Sequence, residues 1–391
     1  MKTKLLTLAL FIFIMPCMLK AQTLNPFYQN IVSNVSYDSL LFSLENFENL
    51  GVKQPGTQAL DNTKNRIISK YTWEGYNNIS LDTFTNSGHT MYNIVITKTG
   101  SLYSNKYVIV DGHYDTRTGT GTNDNGSGTS IIMEIARLLK NVNTEYSIRF
   151  IHFSAEEEGM VGSGHYVSNV VSPQNMQIRI VFNIDEVGGV AGFPNDTIKC
   201  ESDQSSPGSN NATSAAFTDT LATLTHLYSN LKTAITNAYG SDYMPFQSNG
   251  NIITGLYEYR ESSVPHTSND LLINLDTSYV YEVAKAATAA TLYFARAYDT
   301  TTGFNELQPT AEDISIFPNP FNSSFYISTS GTQETHHLVL FDALGQKILS
   351  KEFSSNCEIA FPCAGISIYF YNIINESGEV IKSGKLLHVE K

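Results

Sequence analysis

The sequence contains little cysteine. Four cysteines occur in 391 residues, and Cys200 stands alone between residues 22 and 300. A domain formed by that range must fold without disulfide support, and a cysteine-ligated metal site is disfavoured. Cys357 and Cys363 are close enough in sequence to join two adjacent strands in an oxidising compartment, although two buried thiols fit the pattern equally well.

Positive charge is also scarce, and long apolar runs are confined to the N-terminal region. The 24 lysines and arginines are outnumbered by 37 aspartates and glutamates, which gives a formal net charge of −13. A chain this acidic lacks the basic surface that attracts nucleic acid or an anionic membrane, so we exclude both as partners. No run after residue 21 is long and apolar enough to predict a membrane span.

Residues 1–21 have the layout of a secretory signal peptide. Two lysines precede the apolar run Leu5–Met15, and Ala21 is a small residue suited to cleavage. The apolar run is too short to cross a membrane. Cys17 raises the alternative of a lipoprotein site, which Pro16 directly before it disfavours. We therefore predict that the protein is exported.

The rest of the chain is long enough for two domains. Residues 22–298 begin with helical spacing and then alternate between strand-like and helix-like runs, which predicts an α/β domain with a mostly parallel sheet between helices. Residues 299–312 lack apolar periodicity and fit a linker. Residues 313–391 carry short alternating runs, which predict a small all-β sandwich.

The predicted elements follow from these periodicities. The predicted helices are Ser39–Leu50, Asn62–Tyr71, Ile131–Leu139, Gly162–Asn169, one or two within Ser214–Tyr239, and Asp276–Tyr298. The predicted strands are Tyr92–Thr97, Tyr107–Val110, Ser147–Phe153, Ile178–Ile184 and Ile252–Tyr257 in the first domain, and Ser324–Ser328, His337–Phe341, Ile366–Ile373 and Gly384–Val389 in the second.

Five short segments carry oxygen or nitrogen ligands where a predicted strand ends or a helix begins. They are residues 111–115 (DGHYD), 122–128 (TNDNGSG), 154–159 (SAEEEG), 183–185 (NID) and 265–267 (PHT). In an open parallel sheet, the carboxyl ends of the strands meet around one crevice, so we expect His113, Glu157 and Asp185 to lie together. Asp124 precedes a helix start near Ser127, whose free N–H groups could hold its carboxylate.

These residue types match a hydrolytic site with two metal ions. Zinc accepts imidazole nitrogen and carboxylate oxygen and keeps a position open for water. Two such ions, about 3.5–4 Å apart, can share one carboxylate. Asp124 is the candidate bridge; His113 and Asp185 would complete one zinc site, and Glu157 and His266 the other.

Two further carboxylates have candidate roles in the same site. Asp115 lies two residues after His113 and is predicted to orient an imidazole without touching the metal. Glu156 is predicted to be the general base, which takes a proton from metal-bound water and passes it to the leaving amine. Each segment alone has an ordinary explanation as a surface pair, a turn, an acidic stretch or a loop cap; their joint position at strand ends favours the metal site.

The ordered motifs resemble those of one known family. They are His113-x-Asp115, Asn123-Asp124-Asn125-Gly126-Ser127-Gly128, Ala155-Glu156-Glu157-x-Gly159, Asn183-x-Asp185 and His266-Thr267-x-x-Asp270. The set resembles the co-catalytic zinc aminopeptidases of the bacterial leucyl aminopeptidase type, peptidase family M28, over about residues 50–298. The resemblance implies two Zn²⁺ ions held by the ligands named above, with Glu156 as base. It also implies a phosphorylase/hydrolase-like fold and removal of N-terminal residues from peptides.

Two positions depart from the pattern of this family. Some relatives carry an aromatic residue directly before the last histidine, where this chain has Pro265. A tyrosine that stabilises the oxyanion must then come from elsewhere, and Tyr257 and Tyr259 are the candidates. Residues 241–246 resemble a familial Ser-Asp-His-x-x-Phe stretch in which Tyr243 replaces the histidine. This replacement concerns the substrate pocket and not the metal ligands.

The C-terminal segment has a resemblance of its own. Residues 316–320 (IFPNP), 341–346 (FDALGQ), 365–369 (GISIY) and 384–387 (GKLL) resemble the C-terminal sorting domain of type IX secretion substrates. The resemblance implies export through the periplasm and across the outer membrane by the type IX secretion machinery. The product would be extracellular or attached to the outer cell surface. A β-sandwich that binds sugar or protein is the alternative.

The leading hypothesis is therefore a secreted zinc aminopeptidase that acts on peptides. The alternative enzyme is a glutaminyl cyclase, a class with a similar fold that generally uses one zinc ion, which in this chain would be held by Asp124, Glu157 and His266. The presence of His113 and Asp185 disfavours this alternative. A catalytically silent binding module is the alternative from another class. The presence of every ligand and of the base disfavours it.

Overall fold

The computed structural model describes residues 23–299, 313–330, 335–342, 345–361, 367–375 and 380–389. Contacts divide the chain into two compact units, the first ending at Tyr298 and the second beginning at Asp299. The predicted signal peptide, Cys17, Cys363 and all but the first residue of the predicted linker lie outside the described residues. Within the described ranges, no helix is long and apolar enough to cross a membrane.

A mixed eight-stranded sheet forms the centre of the first unit. The strands of this unit are β1 (Ile79–Asn86), β2 (His89–Lys98), β3 (Tyr103–His113), β4 (Asn143–Thr144), β5 (Tyr146–Phe153), β6 (Gln177–Ile184), β7 (Thr197–Ser202), β8 (Lys232–Asn237), β9 (Ile253–Glu258) and β10 (Ala297–Tyr298). The sheet order is β1-β2-β5-β3-β6-β9-β7-β8, and β4 pairs separately with β10. Strands β5, β3, β6 and β9 run parallel, whereas β1, β2 and β7 pair antiparallel with a neighbour.

Helices cover both faces of this sheet. They are α1 (Pro26–Val32), α2 (Tyr37–Asn49), α3 (Gln58–Trp73), α4 (Gly126–Leu139), α5 (Val161–Tyr166), α6 (Asn211–Tyr228), α7 (Tyr243–Ser248) and α8 (Thr277–Phe294). A π-helical turn, Val167–Val171, extends α5, and a 3₁₀ turn, Leu272–Asn274, precedes α8. Alternate residues of β3 enter different apolar clusters: Val108 packs with residues of α4 and α8, and Ile109 with residues of α5 and α7. The predicted α/β fold with a mostly parallel sheet is confirmed.

Four parallel strands end at the same edge of the sheet. Strand β3 ends at His113, β5 at Phe153, β6 at Ile184 and β9 at Glu258. Because these strands are neighbours with the same direction, the segments that follow them converge at this edge. The segments that carry the candidate metal ligands therefore start at this one edge of the sheet.

Helix α4 begins in direct contact with the end of β6. The Asn125 side chain caps the helix, since its Oδ1 accepts the Gly128 N–H at 2.9 Å while its Nδ2 donates to the Ile184 carbonyl at 2.9 Å. A Cβ atom at Gly128 would lie 2.1 Å from that carbonyl oxygen. The glycine is thus required by the close approach of helix and strand, which sets the distance between Asp124 and Asp185.

The sequence prediction missed several strands at or near the sheet edge. The segment predicted as helix over Ser214–Tyr239 is helix α6 only as far as Tyr228, and then forms strand β8 at the sheet edge. Strand β1, at the opposite edge, and strand β7 were also not predicted. Edge strands bury few side chains, as in β1, where Phe84 is the buried residue, so their apolar alternation is weak. The closing helix ends at Phe294 and not at Tyr298.

The second unit is all β. Its strands are β11 (Asp313–Phe317), β12 (Ser324–Ser330), β13 (His336–Phe341), β14 (Lys347–Phe353), β15 (Cys357–Ala360), β16 (Ser367–Ile374) and β17 (Val380–His388). They form two antiparallel sheets, with the orders β11-β12-β15 and β14-β13-β16-β17. Side chains of both sheets, such as Phe325 and Leu338, share one apolar cluster. The predicted all-β architecture is confirmed, although β11, β14 and β15 were not predicted.

Substitution of Gly128 tests the close packing of α4 against the end of β6. Gly128→Ala places a methyl group against the Ile184 carbonyl and the Asn125 side chain, so we expect a loss of about 1–3 kcal/mol in the free energy of unfolding. Urea denaturation followed by ellipticity at 222 nm reports on the helices, which among the described residues lie in the first unit.

Gly164→Ala is the matched control, because Gly164 is also helical and, apart from its chain neighbours and the backbone of its own helix, no atom lies within 4 Å of the position of a Cβ atom there. It should be neutral or stabilise the protein by about 0.5–1 kcal/mol. Equal midpoints for the two variants would contradict the packing described for Gly128.

Candidate active site

His113, Asp124 and Asp185 form a buried group at the end of β3. The His113 Nε2 atom lies 3.2 Å from Asp124 Oδ1 and 3.3 Å from Asp185 Oδ1. All three side chains are at least nine-tenths buried. The sequence predicted that these three residues would meet, and the structure brings them together in the first of two candidate metal-ligating groups.

Asp124, Glu157 and His266 form the second group. The His266 Nε2 atom lies 3.1 Å from Asp124 Oδ2 and 2.9 Å from Glu157 Oε2. The side chain of His266 is 47% exposed, so this half of the site faces solvent. Asp124 is common to both groups and presents a different oxygen to each histidine.

The donor set fits zinc. His113 Nδ1 lies 3.2 Å from the backbone carbonyl of Asp115, which can only accept a hydrogen bond. In a neutral imidazole this contact keeps the proton on Nδ1, so that Nε2 would direct a lone pair at two carboxylate oxygens. Lone pairs that face one another in this way are stabilised by a cation between them, and imidazole and carboxylate are ligands that zinc takes.

Asp270 holds the backbone that carries Asp124. Its carboxylate accepts the N–H groups of Asn123 at 2.6 Å and Asp124 at 3.1 Å. Burial raises the pKa of Asp270 to about 6. The expectation that the helix N-terminus holds the Asp124 carboxylate is wrong, because Asn125 caps α4 while the carboxylate of Asp124 faces the two imidazoles.

Ser241 orients Asp185. The Ser241 hydroxyl donates to Asp185 Oδ2 at 2.6 Å and accepts from Asn183 Nδ2 at 2.9 Å. The remaining oxygen of Asp185, Oδ1, is the one that faces His113. Sequence reasoning assigned no role to Ser241 or Asp270, although both occur in motifs that it identified, because a side chain that holds a ligand has no spacing rule of its own.

Asp115 anchors the segment that contains Glu156 and Glu157. Its carboxylate accepts their two backbone N–H groups at 3.1 and 3.2 Å. The same carboxylate lies 3.7 Å from His113 Nδ1, whereas the backbone carbonyl of Asp115 lies 3.2 Å from that atom. The carbonyl is therefore the group of Asp115 that is closer to the imidazole. Ala155, with φ of +58°, turns the chain sharply between β5 and this segment.

The electrostatics of the site follow from crowded carboxylates. Burial raises the pKa of Glu156 to about 10, and Asp242 and Asp185 act in the same direction. Burial raises the pKa of Asp124, but in the metal-free site the imidazoles of His113 and His266, when protonated, donate hydrogen bonds that outweigh burial and hold this pKa below the usual range. Such a group of acids favours the uptake of positive charge, as protons or as metal ions.

The three tyrosines identified from the sequence have different positions. Tyr257 lies beside Glu186, the residue after Asp185. Tyr259 is 55% exposed. Tyr243, which stands where the familial motif has histidine, is buried and donates to Glu201 Oε2 at 2.6 Å. The nearest side-chain partner of Tyr243 is thus a glutamate and not a metal-ligand candidate.

Family models match both units. Residues 93–291, about half of the chain, match peptidase family M28, and residues 315–386 match the secretion system C-terminal sorting domain. The sorting domain indicates type IX secretion and a secreted or cell-surface location. The matched ranges contain all seven residues predicted for the catalytic site.

Known proteins with related sequence or fold are mainly aminopeptidases. Aminopeptidase YwaD of Bacillus subtilis is 31% identical over 258 residues, which are 60% of this chain and 51% of that protein. The chain therefore spans about half the length of this curated relative. The LapA aminopeptidase of Legionella pneumophila superposes with a TM-score of 0.60 at 22% identity, covering 69% of this chain and 75% of that one.

The fold is shared with another enzyme class. A glutaminyl cyclase of Macrostomum lignano has a TM-score of 0.60 at 14% identity, with coverage of 69% of this chain and 93% of that chain. Likeness at this level of identity shows the fold alone. The family match over residues 93–291, together with the aminopeptidase relative, shows that the chain belongs to peptidase family M28.

Proposed function

We propose that the protein is a secreted aminopeptidase that binds two zinc ions and removes N-terminal residues from peptides. The observation that supports this function is the position of Asp124, whose two oxygens face two separate histidines. A single-metal enzyme would have no use for a second complete group of three ligands. The glutaminyl cyclase alternative is therefore disfavoured.

The proposal assigns His113, Asp124 and Asp185 to one zinc ion, and Asp124, Glu157 and His266 to the other. When bound, zinc ions polarise a carbonyl group and make water more acidic. Burial of the first group and exposure of His266 suit a substrate that approaches from the side of the second group.

Glu156 is the proposed general base. It is adjacent to the ligand Glu157, it is only partly buried, and its backbone is fixed by Asp115. A glutamate oxygen in this position can take a proton from the attacking water as the water oxygen bonds to the peptide carbonyl carbon. The proton then passes to the departing amine nitrogen as the carbon–nitrogen bond breaks.

Export is part of the proposed function. The sorting domain supports type IX secretion, and we propose passage through the periplasm to the outer surface, with peptides of the surroundings as substrates. The predicted cleavage after Ala21 belongs to the same route.

The activity can be measured with aminoacyl-nitroanilides. Chelation should abolish release of the chromophore, and zinc should restore it. Glu156→Gln should lower kcat by about 10²–10⁴-fold, because the amide cannot take up the proton. The zinc content of the variant should be unchanged, since Glu156 is not a proposed ligand.

Two outcomes would contradict this proposal. Activity that persists after complete removal of metal would exclude the two-zinc mechanism. A zinc-loaded protein that releases no chromophore but converts N-terminal glutamine peptides to pyroglutamate would establish the cyclase alternative.

Ser241→Ala tests how Asp185 is held. Loss of the hydroxyl removes the 2.6 Å hydrogen bond to Asp185 Oδ2, so we expect zinc affinity at the His113 group to fall about 10–100-fold. Competition with a chromophoric chelator would measure the change. Ser248→Ala, at an exposed serine of α7, is the control and should leave zinc affinity unchanged. Equal affinities for both variants would show that Ser241 does not position a zinc ligand.

A further inference from the structure

Lys53 is a buried basic residue that the proposed mechanism does not use. In the part of the chain that the structure describes, no other lysine or arginine is buried. Its ammonium group donates to the carbonyls of Gly51 at 2.7 Å and Thr120 at 2.8 Å, and it lies 3.8 Å from the centre of the Phe47 ring. A buried lysine is costly unless hydrogen bonds compensate for lost water, so its presence here indicates a specific role.

Lys53 holds both ends of one loop. This loop, residues 116–120, follows β3 and precedes the segment that carries Asp124. At the start of the 116–120 loop, the Lys53 N–H donates to Thr116 Oγ1 at 2.9 Å, and the Thr116 N–H donates to the Lys53 carbonyl at 3.2 Å. At its end, the Lys53 ammonium group binds the Thr120 carbonyl. The backbone and the side chain of a single residue therefore hold this loop in place.

The 116–120 loop contacts the second proposed zinc group. The Arg117 N–H donates to Glu157 Oε1 at 3.1 Å, while the other oxygen of Glu157 lies 2.9 Å from His266 Nε2. Gly119 approaches the chain beside His266 so closely that a Cβ atom would lie 2.1 Å from the Thr267 carbonyl oxygen. The loop therefore supports Glu157 directly and packs against the segment that carries His266.

The first zinc group is held by other contacts. Thr129 Oγ1 donates to the His113 carbonyl at 2.8 Å, and the Ser241 hydroxyl donates to Asp185. Among the hydrogen bonds of the described residues, none joins the 116–120 loop to His113 or Asp185. A disturbance of the loop should therefore weaken the second group more than the first.

We propose that Lys53 is a positioning residue for the second zinc ion, because it fixes the loop that supports Glu157 and packs beside His266. This inference rests on the proposed function, which assigns these two ligands to that ion. Burial lowers the pKa of Lys53 to about 7. A neutral amine still has two N–H groups, so both hydrogen bonds to carbonyls are available in either protonation state.

Lys53→Met tests this role in the full chain. Methionine keeps an unbranched side chain against Phe47 but cannot donate to the carbonyls of Gly51 and Thr120. We expect zinc affinity at the second group to fall about 10–100-fold, as for other residues that hold a metal ligand, while affinity at the first group stays within about twofold. Competition with a chromophoric chelator should release one zinc ion earlier than in the wild type and the other as in the wild type.

A double variant identifies the group that is affected. His266→Ala removes a ligand of the second group, so its tightly bound zinc ion is expected at the first group. Addition of Lys53→Met should leave the affinity for this ion unchanged, because the loop then has no complete group to support. A further loss as large as that caused by Lys53→Met alone would show a general effect on the fold and would overturn the inference.

Lys140→Met is the matched control. The Lys140 ammonium group also donates to a backbone carbonyl, that of Gly75, and lies 4.3 Å from the centre of the Tyr76 ring. Lys140 follows the last turn of α4, about 20 Å along the helix from the end near Asp124. Both zinc affinities should equal those of the wild type. Equal losses in Lys53→Met and Lys140→Met would overturn the inference.

Thr116→Val decides the question if Lys53→Met does not fold. It removes the oxygen that accepts the Lys53 N–H and puts a methyl group of similar size in its place, while the ammonium contacts remain. A smaller loss of zinc affinity, confined to the second group, would support the inference. Unchanged affinity at both groups would overturn it.

The outcomes for the wild type separate this inference from the proposed function. Two bound zinc ions with a selective loss in Lys53→Met, but without release of chromophore from any aminoacyl-nitroanilide, would overturn the aminopeptidase function and keep the inference. Zinc-dependent hydrolysis with both zinc affinities unchanged in Lys53→Met would overturn the inference and keep the function. A wild type that binds a single zinc ion would overturn the two-zinc site and the inference together.

Discussion

The mutual repulsion of carboxylates collected at one edge of a parallel sheet is the constraint on which the catalytic unit depends. Asp124, Glu157 and Asp185 reach this edge from three separate segments and meet two histidines at distances of 2.9–3.3 Å. Carboxylates crowded in this way favour the uptake of positive charge, as protons or as metal ions. The site is therefore incomplete without cations, and metal binding should contribute to the folding of the loops that form it.

The neighbouring residues position this acidic group and do not belong to it. Asp270 holds the backbone of Asp124, Ser241 holds Asp185, and Asp115 holds the chain at Glu157. Each forms hydrogen bonds through a buried side chain, as acceptor in Asp270 and Asp115 and as donor in Ser241, and these bonds keep the proposed ligands in place before any metal arrives. Glycine at position 128 has the same purpose, since it lets α4 approach β6 closely enough for Asp124 and Asp185 to share one histidine.

The strongest predictions from the sequence concerned segments with strong periodicity or an ordered motif. Strands β3, β5 and β6 are rich in buried apolar residues, and their order along the chain, together with the residues that follow them, was the basis for grouping His113, Glu157 and Asp185. Strands β1 and β8 were not predicted, because an edge strand is stabilised mainly by hydrogen bonds to its neighbour and needs little apolar sequence.

The sequence by itself determined the fold class and the chemical types of the proposed ligands, because these depend on local periodicity and on the order of motifs. Only the tertiary structure decided that one oxygen of Asp124 faces each histidine and that Asp270 and Ser241 hold the ligands. These facts depend on side chains that are distant in sequence, and the distance between two such atoms is set by packing.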